Sequence, residues 1–234
     1  MENNIQFLAF TAAFLGFFHT VTGPDHYIPF AVISKTKSWN KSRTMLLVIL
    51  CGIGHVGSSI ALGFIGIATG IGLQKLELIE GYRGSVAAWL LICFGLIYGI
   101  WGLRRAIHRH QHHHHNQDHH HTHHSDSDHH HLPSSEKLEK GSITPWILFI
   151  IFVFGPCEPL IPILIYPAAA HSIQGAMYVS AIFGITTILT MMAMVFATLK
   201  GFEFVPMQKI HRYTHAIAGF TIFICGVSIE FLGL

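Results

Sequence analysis

Charge is what this chain has least of. Asp, Glu, Lys and Arg make up only 11% of its 234 residues, less than half of the ~25% usual in a soluble domain. That excludes a water-exposed globular surface over most of the length. The net charge of +2 is too small for a phosphate-tracking surface, and no basic-aromatic groove pattern is present, so nucleic acid is not an expected partner. The opening Met-Glu-Asn-Asn lacks the positive n-region of a secretory leader, so the first apolar segment is expected to stay as a membrane helix. The four cysteines, Cys51, Cys93, Cys157 and Cys225, all fall within apolar segments, which argues against a disulfide scaffold. No nucleophile elbow, phosphate loop or zinc-hydrolase motif is present, so no enzymatic activity is expected.

What is abundant is apolar sequence, 51% of the chain. It falls into six candidate spans, 5–33, 44–73, 84–107, 144–170, 173–199 and 213–234, each long enough for a membrane helix of ~20 residues. The expected fold is therefore an all-α polytopic membrane protein with six transmembrane helices. Twelve of the 14 Lys and Arg residues lie in the first, third and fifth connections, and only Lys75 and Arg83 lie in the second. By the positive-inside rule both termini face out of the cytoplasmic membrane and the long third connection is cytoplasmic. A shift of 132 positions lays Gly23-Pro24 on Gly155-Pro156, Gly52 on Gly184, His55 on Thr187 and Cys93 on Cys225. Three helices per unit would invert the second half relative to the first, a 3+3 inverted repeat with broken helices 1 and 4. The expected organisation is a first three-helix repeat over 1–107, a cytoplasmic histidine-rich disordered loop over 108–143, and a second three-helix repeat over 144–234.

Chemistry concentrates at the breaks. The first span contains His19-Thr-Val-Thr-Gly23-Pro24-Asp25-His26. Ionisable groups inside a bilayer cost several kcal/mol unless they meet a partner, water or an ion, and Gly-Pro frees backbone carbonyls that hydrocarbon cannot satisfy. Residues seven apart share a helix face, so His19 and His26 point the same way, with the Asp25 carboxylate beside them. Imidazole nitrogen with some carboxylate oxygen suits nickel, cobalt, zinc or iron(II) better than magnesium or calcium. His55 lies among Gly52, Gly54 and Gly57 in the second span, where small residues leave room for close helix approach. The fourth span reads Phe154-Gly155-Pro156-Cys157-Glu158-Pro159-Leu-Ile-Pro162. Its three prolines forbid a regular helix, and Cys157 and Glu158 stand at the break as a soft and a hard donor. The expected metal-site residues are His19, Asp25, His26, His55, Cys157 and Glu158. Weaker candidates are the His211/His215 pair, His171, Glu230 and the threonines Thr186, Thr187 and Thr190.

Fourteen of the 20 histidines lie between His108 and His131, among Asp118, Asp126 and Asp128. Such a tract has too little apolar content to fold and reads as a low-affinity, multi-site metal binder.

The first-span motif resembles the signature of the nickel/cobalt transporter superfamily, in particular its urease-accessory permease branch, and the motifs around His55 and Gly155-Pro156-Cys157-Glu158 are similar to that branch's second- and fourth-span signatures. Five residues, Thr20 to Pro24, separate His19 from Asp25 here, one more than in the better-known nickel permeases. The resemblance implies movement of divalent nickel or cobalt, with zinc or iron(II) as further cargo, through a site of His19, Asp25, His26, His55 and Glu158. No tightly bound cofactor is expected. The expected partners are the metal ion, the lipid bilayer and a cytoplasmic metallochaperone. The Gly-Pro-Cys break also resembles the redox-conducting cytochrome-biogenesis membrane proteins, which use a cysteine in each half. Asp25 stands where the first of that pair belongs, so this thiol-redox conduit is ranked second, beside a membrane metal sensor or storage protein.

Overall fold

The computed structural model describes residues 2–108, 143–170, 173–204 and 213–233. Among them the chain is all-helical: α1 (Glu2–Thr22), a short 3-10 turn (Pro24–His26), α2 (Ile28–Thr36), α3 (Lys41–Thr69), α4 (Leu73–His108), α5 (Thr144–Phe154), α6 (Leu160–Ala170), α7 (Ile173–Gly201) and α8 (Thr214–Leu232). Five of these, beginning at Ile5, Lys41, Leu73, Ile173 and Thr214, are long and apolar enough to cross a membrane, and the chain is an integral membrane protein. The sixth expected span is split. Pro156 and Pro159 divide it into α5 and α6, 11 residues each, and neither half alone spans ~30 Å of hydrocarbon.

Local chemistry sets the helix ends. The Asn40 side chain caps α3 by accepting from the Arg43 N–H at 2.9 Å. Gly70, at φ 67°, ends it in the left-handed conformation that glycine adopts without strain, and Ile71 N–H then reaches back to the Gly66 carbonyl at 2.9 Å. The expected boundary of the third span needs correction: α4 begins at Leu73, so Glu80 and Arg83 lie inside a membrane helix rather than in a connection. At 36 residues it measures about 54 Å and overruns the bilayer.

The two halves interlock. α1 packs on α7, α5 on α3, and α4 on α8. The last pair approaches through glycines: a Cβ at Gly95 would lie 2.8 Å from the Gly219 carbonyl oxygen, and one at Gly226 2.9 Å from that of Ala88. Phe30, Leu148, Phe152 and Met191 form part of the central core. Phe7, Phe10, Ile53, Ile97, Ile185 and Phe220 remain exposed, the surface that lipid covers. Lys41 of the first connection pairs with Glu203 of the fifth at 3.2 Å, so these connections share one end of the molecule.

Candidate functional site

The first break turns two imidazoles inward. α1 ends as Gly23 N–H bonds the His19 carbonyl at 3.0 Å, and His26 N–H then bonds the Gly23 carbonyl at 3.1 Å. Gly23 is needed because an added Cβ would meet His26 Nδ1 at 2.6 Å. His26 and His55 are 3% and 2% exposed, and their Nε2 atoms are 3.3 Å apart. The His19 ring lies 4.7 Å from that of His26 and stacks at 6.2 Å over His55.

Hydrogen-bond chemistry assigns the protons. His55 Nδ1 donates to the Phe152 carbonyl, 3.3 Å away, so the Nε2 of the neutral ring is an acceptor. His26 Nε2 must then donate to it. His26 Nδ1 faces only acceptors, Gly23 O and Asp25 Oδ1, each at 3.1 Å. All these bonds form together when His26 carries both ring protons beside an ionised Asp25. The pair is neutral as a whole, which offsets the cost of placing ions in a bilayer.

The second break lies against the same rings. Pro156 lacks the N–H that would bond the Phe152 carbonyl in a continuous helix, and His55 Nδ1 and Gly155 N–H supply donors instead. A Cβ on Gly155 would lie 3.0 Å from His55 Nδ1. Cys157 is fully buried, and donor atoms of His19, His55 and Cys157 lie within 4.8 Å of one another. His19 Nε2 is buried without a hydrogen-bond partner. Thus His19, His55 and Cys157 converge, Asp25 and His26 adjoin them as an ion pair, and Glu158 stands apart. Glu158 is exposed and lines a cavity of about 460 Å³ with His19, Pro156, Pro159 and Glu230. Glu230 there accepts from Ser85 Oγ at 2.8 Å.

Two residues escaped the sequence reading. Glu80 is fully buried and bonds Arg83 Nη1 at 2.6 Å, and the pair contacts the second break. Opposite charges three apart at the edge of an apolar run were the available signal. Of the weaker candidates, His215 Nδ1 lies 2.9 Å from the Tyr98 hydroxyl, away from this site. The histidine-rich tract beyond His108, His171 and His211 lie outside the described residues.

A family model described as the cytochrome c biogenesis protein transmembrane region matches residues 8–228. No curated protein and no solved structure matches the chain. The match overturns the resemblance to the nickel/cobalt transporter superfamily, and with it nickel or cobalt transport as the function. That resemblance rested on three short motifs, two at polar breaks and one around His55 inside α3, a chemistry that unrelated membrane proteins share, whereas the family match runs through all the helices.

Proposed function

Because the chain belongs to the cytochrome c biogenesis protein transmembrane region family, we propose that it is a membrane thiol-redox conduit of the cytochrome-biogenesis type, with Cys157 as its reacting sulfur. The family match carries this reading. Its support within the chain is that Cys157 sits at a proline-flanked break with the imidazoles of His19 and His55 close by. An imidazole nitrogen accepts the thiol proton, and the thiolate is the nucleophile. It attacks one sulfur of an acceptor disulfide; that S–S bond breaks, the leaving sulfur takes the electron pair and a proton, and a mixed disulfide with Cys157 remains. One thiolate of a donor dithiol then attacks the acceptor's sulfur-bound partner at Cys157, freeing the acceptor's second thiol. The donor's other thiol completes its own disulfide and restores the Cys157 thiol. The donor is oxidised by two electrons and the acceptor reduced by two. A partner dithiol thus takes the role of the second cysteine, since Asp25 holds that position in the first half.

In this reading the halves are inverted repeats: Lys41 to Ile173, Thr69 to Gly201 and Ile28 to Leu160 are all steps of 132 positions between corresponding helix ends. Both termini face out and the histidine-rich connection faces the cytoplasm, as its Lys and Arg content requires. The test is electron transfer in proteoliposomes. A reduced dithiol protein is added outside, and the impermeant disulfide dithiobis-nitrobenzoate is enclosed. Thionitrobenzoate should form in the lumen with the wild-type chain and fall to the protein-free leak with Cys157→Ser; equal rates in both would sink the reading.

A second reading is favoured by the convergence of His19, His55 and Cys157 within 4.8 Å: a resident zinc or copper(I) ion, for which imidazole and thiolate donors are suited. Metal analysis of purified protein lacking residues 108–131 separates it from the tract. One equivalent lost on Cys157→Ser or His55→Ala supports the ion; equal metal in wild type and variants removes it.

A further inference from the structure

An unbroken helix would join Cys157 N–H to the Val153 carbonyl, four residues earlier. Here that bond is divided between two charges of α4. Glu80 Oε2 accepts from Cys157 N–H at 3.3 Å, and Arg83 Nη2 donates to the Val153 carbonyl at 2.8 Å. Arg83 Nη1 closes the circuit on Glu80 Oε1 at 2.6 Å. Each charge has taken the backbone group of opposite polarity. Ser58, one turn from His55, accepts from Arg83 Nη2 at 2.6 Å and lies 2.9 Å from the Val153 oxygen, which ties the arrangement to the helix that carries the imidazole.

A break alone does not call for ions. Water or a hydroxyl would satisfy one carbonyl and one amide at a smaller desolvation cost. A fully buried carboxylate and a part-buried guanidinium at this spot couple α4 to one turn of backbone, the turn that bears Cys157. Cys157 has no exposed surface, so a reagent reaches its sulfur only when its surroundings move, and a movement of its own turn toward the cavity beside Pro156, Glu158 and Pro159 breaks the Glu80 bond to its amide.

We propose that Glu80 and Arg83 are the positioning pair for Cys157: they hold the second break closed, keep its sulfur against His19 and His55, and set how often that sulfur becomes reachable. The role assigned to the sulfur rests on the thiol-redox reading; the positioning itself does not.

The experiment is N-ethylmaleimide labelling of the full chain in liposomes, with modification at each cysteine quantified by peptide mass spectrometry. Cys51 and Cys225, buried elsewhere, report global loosening. In Glu80→Ala and Arg83→Ala, Cys157 should label about tenfold faster than in wild type, with Cys51 and Cys225 within about twofold. Glu80→Gln has one oxygen to offer, either to the Cys157 amide or to Arg83, and should bring Cys157 labelling between that of Glu80→Ala and wild type. Unchanged Cys157 labelling, or a rise shared equally by all three cysteines, would overturn the proposal. The two ideas fail separately. Labelling that responds to Glu80 while Cys157→Ser leaves electron transfer intact removes the redox role and keeps the positioning pair. Transfer that needs Cys157 while labelling ignores Glu80 does the reverse.

Discussion

The two breaks have the same Gly-Pro opening and satisfy their backbones in opposite ways. At the first, the residues of the break serve one another: His26 bonds Gly23 and Asp25 through one ring nitrogen, and Gly23 and His26 amides close the local turn. At the second, other helices do the work. α3 supplies His55 and Ser58, and α4 supplies Glu80 and Arg83. Proline content explains the difference. Pro24 and Pro29 remove two amide donors from the first break and the opening turn of α2, whereas Pro156, Pro159 and Pro162 remove three from the second break and the opening turn of α6. A segment so short of donors must be completed from outside. Its geometry therefore depends on how the helices around it pack, while the first break's depends on its own sequence.

The largest test of this contrast is removal of one partner from the Glu80–Arg83 pair. Arg83→Ala leaves a buried carboxylate without its cation and should cost about 3–5 kcal/mol, read from unfolding by denaturing detergent in mixed micelles. Replacing both residues by apolar ones is often neutral for a buried ion pair. Here Glu80→Leu with Arg83→Met should still cost about 1–3 kcal/mol, because the Cys157 amide is left without an acceptor. A neutral double variant would mean that the pair is not what completes the break.

At the first break the corresponding loss is smaller. Asp25→Ala removes the counter-charge of His26 as well as one of two acceptors of its Nδ1. Near neutral pH, however, an imidazole sheds its proton far more readily than the stranded Glu80 carboxylate gains one, so the cost should be roughly 1.5–3 kcal/mol. Asp25→Asn, which keeps an acceptor, should recover much of it. If Asp25→Ala were as damaging as Arg83→Ala, the first break would not be self-sufficient.

These dependences also explain what was legible in the sequence. The breaks themselves were, because proline acts on its own backbone. So was the convergence of His19 and His26, one segment with seven-residue spacing, and of His55, whose flanking Gly52 and Gly54 admit Ile188 and Val153 side chains at the distances a Cβ would occupy. Glu158 was not: side-chain direction beyond a break depends on the turn, and the exposed residue lines the cavity that His19 borders without joining the donor atoms of His19, His55 and Cys157. Glu80 and Arg83 were hidden for another reason. Their charges lower the apparent apolarity of the first turns of α4, so hydropathy alone starts the span at 84 and places Arg83 in a connection. Family membership was legible only in part: the Gly-Pro-Cys motif points to the cytochrome-biogenesis family that the match over 8–228 shows, but it cannot rank that family first, since a Gly-Pro break beside polar groups is a solution many membrane helices share.

Helix packing against the second break gives a finer contrast within α4 alone. A Cβ on Gly84 would lie 2.8 Å from Pro156 Cγ, whereas one on Gly81 would meet nothing within 4 Å. Gly84→Ala should therefore cost about 1–3 kcal/mol through overpacking. Gly81→Ala should be neutral or stabilising by up to ~1 kcal/mol through helix propensity. Equal effects at the two positions would show that α4 does not bear on the break.

Ser58→Ala should have the smallest of the destabilising effects, and it tests which donor holds the Val153 carbonyl. The hydroxyl is 2.9 Å from that oxygen and the guanidinium 2.8 Å, so distance does not separate them. Charge does: a guanidinium donor makes the stronger bond, and the hydroxyl proton is shared with the His55 carbonyl at 2.8 Å. Loss of the hydroxyl alone should then cost about 0.6 kcal/mol, the usual size of a hydrogen bond between membrane helices. Combined with Arg83→Ala it should cost more than the sum of the two single changes, since the carbonyl would lose both donors at once. Additivity would mean that the two donors act on separate acceptors, and the second break would then rest on Glu80 and the Cys157 amide without help from Arg83.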